Sequence, residues 1–411
     1  MKVLFLCNKS PWPALEGGSI AMYNLIKGLL NAGHQVKVLA VNSEKFHVDL
    51  AAIPADFKQQ TAIELVHLDL NIKIADAFFN LFSGKSYHVE RFISADFGRK
   101  LTEILQKSHF DIVQLESIFM MPYIDIIRTH SKAIVVMRAH NIEHLIWKRI
   151  ADKTTNVFKR WYLRHLTRTL KAYELKVLSQ ADGIAAITRK DAGFFRRITS
   201  TPVVDIPFGI DVKHIENEEV AEKEPGFFHI GAMNWMPNEE GMRWFLEKAW
   251  PLIHENFPDL KLYLAGRYMP QWIEKGNFPN VVVEGEVPDA TAFVRKHDVA
   301  IVPLLSGSGI RIKIIEAMAQ ARAVITTEVG AEGIMYKDRE NILIAATPED
   351  FLKCAAMYVE NPSHFEQIGQ NARQLVEEVY DNSKITERLL LFYDALRKQL
   401  NHRFHSDEQR G

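Results

Sequence analysis

The residue types best suited to chemistry occur in residues 303–319, where an apolar strand pattern ends in a glycine and serine loop and a helical pattern follows. Gly307 and Gly309 permit a close backbone approach to a ligand, and free amide groups at a helix start attract an anion. Arg311 can balance the charge of a diphosphate there. Glu316 interrupts the apolar helix stripe, and two ribose hydroxyls would suit its carboxylate. The alternative is a solvated glutamate on the helix flank.

A second anion-binding pattern is the pair Gly17 and Gly18, which directly precedes a predicted helix. Glycine lets the backbone approach a charged group, and the helix start offers free N–H groups. The preceding loop has neither the G-x-G-x-x-G spacing of dinucleotide-binding folds nor a P-loop lysine, which argues against NAD and ATP motifs. Taken alone, the pair is more typical of a plain turn.

His140 and Asn141 follow an apolar run that predicts a buried strand. Open α/β sheets bind ligands at the carboxyl ends of their strands, and an imidazole with a pKa of about 6.5 can exchange hydrogen bonds with a sugar hydroxyl or a leaving oxygen. The alternative is a structural histidine, because the chain has 16 histidines. His144, one helical turn further, is predicted to be a surface or capping residue.

A basic helical segment spans residues 143–176, in which lysine and arginine outnumber acidic residues nine to three. One stripe at helical spacing is basic and another is apolar: Arg160, Arg164, Arg168 and Lys171, and Leu163, Leu166, Leu170 and Tyr173. Such a segment could dock on an anionic membrane surface or a lipid diphosphate. The simpler interpretation, which is favoured, is a domain helix with a solvated basic face.

Composition excludes several function classes. The 411 residues include 50 lysines and arginines and 51 aspartates and glutamates, so the formal net charge is −1 and nucleic acid is not an expected partner. There are two cysteines, no Asp-x-Asp pair and no cluster with zinc spacing, so we expect no metal site. The cysteine usage fits a reducing compartment and no apolar run reaches the roughly 18 residues of a membrane span, which predicts a cytoplasmic location.

Short apolar runs alternate with amphipathic helical patterns along nearly the whole chain. Continuous apolar runs are typical of parallel strands covered on both faces, so the predicted class is α/β with doubly wound parallel sheets. The pattern pauses near residues 208–211, and the acidic stretch 216–224 is interpreted as a linker. We therefore predict Rossmann-like domains at 1–207 and 208–382, facing each other across a ligand-binding cleft.

Six motifs follow one another in an order that resembles a known family. They are the pairs Gly17–Gly18 and His140–Asn141 and the segments 207–211 (PFGID), 231–238 (GAMNWMPN), 316–319 (EAMA) and 330–333 (GAEG). Together they resemble glycosyltransferase family 4, the group 1 type of retaining glycosyltransferases with the GT-B fold. The resemblance covers nearly the whole chain.

The resemblance implies two facing Rossmann-like domains, with a C-terminal helix at 383–400 that returns to the first domain and a flexible tail at 401–411. It implies a nucleotide diphosphate sugar as the donor substrate, held mainly by the second domain. It also implies that neither a metal nor another cofactor takes part. The family mechanism is a front-face attack, in which the leaving diphosphate helps to deprotonate the acceptor.

The resemblance also assigns roles to single residues. His140 and Glu316 are the candidate catalytic residues: His140 would touch the donor sugar near the reacting carbon, and Glu316 would bind the ribose. The candidate donor-binding residues are Gly17, Gly18, Asn141, Asn234, Val287, Ser308, Gly309, Ile310, Arg311 and Lys313. Gly17 and Gly18 would close over the diphosphate, and Val287 lies in the turn expected to face the base.

The sequence departs from the family pattern at two places. The family has two glutamates separated by seven residues, but Ser308 stands at the earlier position, so only Glu316 remains. The segment that corresponds to residues 231–238 usually offers an arginine and a lysine to the diphosphate, and this chain has neither there. We hypothesise that Arg311 and Lys313 supply the missing positive charge.

The predicted function is the transfer of a hexose-type sugar to a glycan or lipid-linked acceptor in cell-surface polysaccharide biosynthesis. Peripheral contact of the chain with the inner face of the membrane is a further hypothesis. Two alternatives remain open within the same fold, namely a sugar-nucleotide epimerase and a non-catalytic homologue that binds sugar nucleotides. A nicotinamide-dependent dehydrogenase is disfavoured because the G-x-G-x-x-G motif is missing.

Overall fold

A computed structural model describes residues 1–14, 17–73, 80–81, 83–212, 223–307 and 309–408. The chain divides into two compact units. The first unit holds the residues up to Gly209 and those from Asn382 onward, and the second runs from Ile210 to Asp381. Most of the predicted linker at 216–224, and the candidate Ser308, lie outside the described residues.

Each unit is built on one parallel sheet. The strands of the first unit are β1 (Lys2–Cys7), β2 (Gln35–Asn42), β3 (Glu64–His67), β4 (Ile112–Glu116), β5 (Ile134–Ala139), β6 (Gly183–Ala186) and β7 (Val203–Asp205). Those of the second unit are β8 (Phe227–Ile230), β9 (Leu262–Ala265), β10 (Val281–Gly285), β11 (Val299–Val302), β12 (Ala323–Thr326) and β13 (Leu343–Ile344).

The two sheets have the same winding. Their strand orders are β3-β2-β1-β4-β5-β6-β7 and β10-β9-β8-β11-β12-β13, so each sheet grows outward from its first strand in both directions. The direction in which successive strands are added changes between β1 and β4 in the first sheet and between β8 and β11 in the second. Open α/β sheets bind ligands at such switch points, outside the carboxyl ends of the strands. The predicted class of two doubly wound parallel sheets is confirmed.

Helices connect the strands. Those described are α1 (Gly17–Asn31), α2 (Ala55–Thr61), α3 (Tyr87–Glu90), α4 (Ala95–Lys107), α5 (Ile124–His130), α6 (Glu143–Lys153), α7 (Val157–Val177), α8 (Arg189–Ile198), α9 (Met236–Trp244), α10 (Trp250–Asn256), α11 (Gln271–Glu274), α12 (Ala290–Lys296), α13 (Ile312–Ala319), α14 (Pro348–Glu360), α15 (Pro362–Val379) and α16 (Asn382–Glu408). Within the described chain, no helix is both long and apolar enough to span a bilayer.

Both faces of the first sheet are covered, which explains its continuous apolar strands. On one face, Leu25 of α1 and Leu389 of α16 pack in the same core as Phe5 of β1. On the other face, Leu6 of β1 lies in a core with Leu101 of α4. Polar side chains inside these two layers therefore need partners within the protein.

The last helix packs closely on the first unit and is longer than predicted. Where α16 meets α1, a Cβ atom on Gly28 would stand 2.0 Å from the Oγ1 of Thr386, so only glycine permits this approach. The sequence predicted that the helix ends at residue 400 and that a polar tail follows, but α16 continues through Glu408. Residues 401–408 contain neither glycine nor proline, the residues that most disfavour a helix.

Candidate functional site

In the second unit, candidate donor residues gather on two loops at the switch point between β8 and β11. Residues 231–235 leave the carboxyl end of β8, and residues 303–311 lead from β11 into α13. Because the two strands are parallel neighbours, both loops lie at the same edge of the sheet. Five candidates lie on these loops or in the first turn of α13: Asn234, Gly309, Ile310, Arg311 and Lys313.

Lys313 ties the two loops together. Its Nζ donates a hydrogen bond to Oδ1 of Asn238 at 2.6 Å, and Nδ2 of Asn238 donates to the carbonyl of Ala232 at 2.9 Å. Gly231 leaves room for this arrangement, because a Cβ atom there would stand 2.7 Å from the Nζ of Lys313 and 3.0 Å from the Nδ2 of Asn238. The ammonium is thereby held beside the backbone that leaves β8.

The Lys313 ammonium is poorly solvated. Its pKa is lowered to about 7, chiefly by desolvation and further by the charge of Arg311, while Glu316 acts in the opposite direction. Nearby, the buried His229 on β8 donates from Nδ1 to the carbonyl of Ile301 at 2.7 Å. Burial and the charge of Lys313 hold the pKa of His229 well below its ordinary value, so the imidazole is neutral. An anion bound here would restore the full charge of Lys313.

Arg311 fastens the loop that precedes α13. Its side chain is buried, its guanidinium carbon lies 5.5 Å from the ring centroid of Trp235, and its Nη1 donates a hydrogen bond to the carbonyl of Gly309. Gly307 and Gly309 have φ values of +114° and +84°, which residues with a Cβ atom rarely adopt. The loop conformation therefore depends on these glycines, and the hypothesis that Arg311 offers its charge to a ligand stays a prediction.

The remaining candidates of this unit are placed differently. Glu316 lies on α13, one turn after Lys313, and its side chain is exposed to solvent. Val287 follows β10, which is separated from β8 by β9, so the structure places it two strands away from the switch-point loops. The roles predicted for Glu316 and Val287 stay predictions.

In the first unit, Gly17 and Gly18 form the start of α1, close in sequence to the carboxyl end of β1. Lys9 lies against this helix start, because a Cβ atom on Gly18 would stand 3.3 Å from the Cε of Lys9. The Nζ of Lys9 also lies 4.6 Å from the ring centroid of Phe46. A cation beside a helix start strengthens its attraction for an anion.

His140 is held by a buried carboxylate. Its Nε2 donates to Oε2 of Glu116 at 2.7 Å, and the two residues stand at the ends of neighbouring strands β5 and β4. The other oxygen of Glu116 accepts from Nε2 of Gln114 at 2.5 Å, and Gln114 accepts from the hydroxyl of Tyr393 on α16. This chain of hydrogen bonds orients the imidazole through its Nε2.

A buried arginine accompanies this network. Arg138 of β5 is in register with Glu116 of β4, and both side chains are fully buried. Burial raises the pKa of Glu116, but the charge of Arg138 and the hydrogen bonds from His140 and Gln114 outweigh burial, so the pKa lies below its ordinary value. Glu116 is therefore ionised near neutral pH, so the hydrogen bond that it accepts from His140 is charge-assisted.

The prediction that His144 is a surface or capping residue is wrong. Its side chain is buried, and Nδ1 forms a hydrogen bond with Oε2 of Glu174 at 2.5 Å. Glu174 of α7 also accepts from the backbone N–H groups of Glu143 and His144, so this carboxylate caps the start of α6. Burial and the charge of Glu174 raise the pKa of Glu143 to about 7, and a hydrogen bond with the Asn141 side chain opposes them.

One group in the described chain could hold a metal ion, although the sequence predicted none. The ligand atoms of Glu224, Glu284 and His297 lie within 4.8 Å of one another. Nδ1 of His297 donates to the carbonyl of Glu224 at 2.8 Å, which leaves Nε2 facing the carboxylates. Glu224 precedes β8 and His297 precedes β11, so these two residues lie by the amino ends of their strands, whereas Glu284 lies near the carboxyl end of β10.

Comparison with known proteins decides the family. Residues 15–214 match the description Glycosyltransferase Family 4, and residues 224–361 match Glycosyl transferases group 1. The chain belongs to the group 1 glycosyltransferases of family 4. This glycosyltransferase is 23% identical, over 398 residues, to an uncharacterized 44.6 kDa protein in the cps region of Klebsiella pneumoniae. The match covers 93% of this chain and 97% of that protein.

Solved structures similar to this glycosyltransferase share its fold. Sucrose-phosphate synthase from Thermosynechococcus elongatus matches with a TM-score of 0.68 at 15% identity, over 97% of this chain and 100% of that one. HepE of Anabaena in complex with UDP matches with 0.67 at 12%, over 96% and 100%. TarM of S. aureus matches with 0.67 at 12%, over 96% and 99%. At these identities the likeness shows the GT-B fold alone.

Sequence reasoning missed four residues that position the candidate site of this glycosyltransferase: Lys9, Glu116, His229 and Asn238. Lys9 and Glu116 stand at or just after the carboxyl ends of β1 and β4, and a polar residue at such a position was the available signal. His229 is a single histidine inside an apolar strand, and such a histidine is as often a structural residue as a functional one. Its contact with the Lys313 region follows only from the pairing of β8 with β11.

Proposed function

We propose that this glycosyltransferase transfers a hexose-type sugar from a nucleotide diphosphate sugar to a glycan or lipid-linked acceptor in cell-surface polysaccharide biosynthesis. The observation that carries the donor part is the placement of Lys313 and Arg311 at the start of α13, at a switch point. The relatives support it: HepE was solved with UDP-glucose, TarM with UDP and alpha-GlcNAc-glycerol, and the Klebsiella protein is described as belonging to a cps region.

The second unit is proposed to stabilise the leaving group. When the bond between the anomeric carbon and the diphosphate breaks, negative charge accumulates on the diphosphate. Lys313, Arg311 and the N–H groups at the start of α13 would stabilise this charge, so we propose that no metal is required. Glu316 would bind the ribose hydroxyls, residues 308–310 would contact the sugar and phosphates, and Val287 would face the base.

The first unit is proposed to contribute His140, whose imidazole would bind a hydroxyl of the donor sugar near the reacting carbon while Glu116 keeps it oriented. Gly17 and Gly18 would offer backbone N–H groups to the diphosphate, and Lys9 would add a positive charge. We propose that the configuration at the anomeric carbon is retained through front-face attack. The reaction would take place in the cytoplasm.

A thermal-shift panel of nucleotides and nucleotide sugars, with and without magnesium, tests the donor proposal. A ligand at about 100 times its dissociation constant stabilises the fold by roughly 2.7 kcal/mol, which is readily measured. We expect a shift with one nucleoside diphosphate and its sugar, unchanged by magnesium. A shift with NAD or NADP alone would contradict the proposal. A donor shift without transfer to any glycan would instead favour a binding protein.

Donor affinity is expected to fall as the pH rises above 7. The pKa of Lys313 is about 7 in the free protein, and a bound diphosphate raises it because the anion stabilises the ammonium. Binding therefore takes up a proton above pH 7, and the affinity should fall by up to about tenfold for each further pH unit until the pKa of the complex is reached. Calorimetry with the nucleoside diphosphate between about pH 7 and 9 measures this.

The control for the pH experiment is Lys313→Arg, because an arginine side chain stays charged throughout this range. Its affinity should change much less with pH than that of the wild type. Equal slopes in the two proteins would show that another group takes up the proton, and would contradict the assignment to Lys313.

A further inference from the structure

The turn between α6 and α7 exposes a cluster of large apolar side chains, which we call the hairpin tip: Ile150, Val157, Phe158 and Trp161. Their exposed fractions are 42%, 63%, 85% and 63%. The cluster is compact along the chain, since Ile150 lies in the last turn of α6 and the other three lie in the first turns of α7. Exposed aromatic residues grouped in this way mark an interaction surface more often than scattered ones do.

The structure separates this tip from the apolar stripe that the sequence indicated. Leu163, Leu166 and Leu170 of α7 are buried, and the first two pack in a small cluster with Tyr87 and Ala151. Val157, Trp161, Arg164 and Arg168 recur at intervals of three and four residues, so they share the opposite, solvent-facing side of α7. Trp161 at the tip is therefore followed along the same face of α7 by Arg164 and Arg168.

The charge around the tip is almost entirely positive. Helices α6 and α7 together form a helical hairpin. Its exposed cations are Lys148, Arg149, Lys153, Lys159, Arg164, Arg168, Lys171 and Lys176. Of its three acidic residues, Glu174 is buried, Glu143 is half-buried, and only Asp152 is exposed, with its Oδ1 3.6 Å from Nη2 of Arg164. The surface thus combines an apolar tip with a rim in which exposed cations far outnumber exposed carboxylates.

We propose that the hairpin tip inserts into the headgroup region of an anionic lipid bilayer, with Phe158 and Trp161 as apolar anchors and Arg164 and Arg168 on the lipid phosphates. Charge complementarity favours a bilayer over a protein partner: aromatic side chains beside many basic ones suit the interface of an anionic membrane. The surface lies outside the residues assigned to the donor, so this inference does not require the proposed reaction to be correct.

Cosedimentation tests this proposal with vesicles of phosphatidylcholine containing about 30% phosphatidylglycerol, and with pure phosphatidylcholine, at about 50 mM salt. We expect the full chain to bind the anionic vesicles about tenfold more tightly than the neutral ones. The double variant Phe158→Ser/Trp161→Ser should bind the anionic vesicles about tenfold more weakly or worse. Arg164→Gln and Arg168→Gln should each weaken binding about fivefold, because a basic residue near an anionic leaflet contributes about 1 kcal/mol.

The matched control is Leu391→Ser, because Leu391 is 65% exposed on α16 of the same unit. It should bind the anionic vesicles as the wild type does. The proposal is overturned if the double variant Phe158→Ser/Trp161→Ser binds anionic vesicles as tightly as the wild type does. It is also overturned if the wild type binds neutral and anionic vesicles equally, or binds neither. A wild type that is oligomeric and a double variant that is monomeric would likewise overturn it, because the tip would then be a contact between copies of the chain. The melting temperature and the donor shift should be unchanged in every variant, which separates failure here from failure of the donor assignment.

Discussion

Lys313→Met is expected to weaken donor binding, and with it kcat/KM for transfer, by about 10- to 150-fold. The ammonium donates to Asn238 in the first turn of α9, and a hydrogen bond to a charged group is worth about 1.5–3 kcal/mol, which corresponds to that range. The fold should tolerate the change, because methionine fills similar space and removes a poorly solvated cation. Calorimetry with the nucleoside diphosphate that gives a shift in the thermal-shift panel measures the affinity, and initial rates of sugar transfer measure kcat/KM.

The matched control is Lys248→Met, because Lys248 is an exposed lysine of the same unit and should bind the donor unchanged. Arg311→Ala serves as the companion variant. It removes a cation and the contact to the carbonyl of Gly309, so it should lower both donor affinity and the melting temperature. An Arg311→Ala protein with full donor affinity would contradict the hypothesis that this arginine helps to balance the diphosphate.

Arg138→Met is expected to destabilise the first unit by about 3–5 kcal/mol, because it leaves the buried charge of Glu116 without its cation. Urea unfolding of the full chain, followed by a probe in the first unit, measures this. The double variant Arg138→Met/Glu116→Gln removes both charges and should recover a large part of the loss. If the two substitutions are instead additive, the pair is not coupled and this account of the network is wrong.

The ion pair of Glu116 and Arg138 should also make the free energy of unfolding depend on pH. The pKa of Glu116 lies below its ordinary value of 4.5 in the folded protein, so its stabilising contribution is complete above pH 4.5 and is lost as the pH falls through the folded value. The stability difference between the wild type and the double variant should therefore narrow below pH 4.5. Glu116→Gln should also lower transfer, because a neutral amide accepts a weaker hydrogen bond from Nε2 of His140 and orients the imidazole less firmly.

The sequence predicted the architecture well, because the signals that it used are local. The apolar runs at β1, β4, β5 and β11 are continuous, and a run of that kind can be buried only in a sheet covered on both faces. Residues that follow such runs must lie at the ligand-binding edge of the sheet. The sequence alone therefore singles out His140, Arg311 and Lys313 as candidates at this edge.

The errors arose where local pattern and tertiary packing differ. His144 sits where a surface residue is expected, but Glu174, about thirty residues later, reaches the start of α6 and buries it. The apolar and basic stripes of α7 were both visible, yet spacing alone could not show that Leu163 and Leu166 face the core while Phe158 and Trp161 stay in solvent. The length of α16 was underestimated because polar composition was taken as a sign of fraying.

By itself, the sequence determined the α/β class, the two parallel sheets and the strand ends on which the candidate site residues stand, because hydrophobic periodicity and glycine positions act over a few residues. Only the tertiary structure decided that Asn238 holds Lys313, that Glu116 orients His140 and that Lys9 lies beside Gly18. These contacts join elements far apart in the chain. They depend on which strands become neighbours in the sheet, which is a property of the whole packed unit and of no single segment.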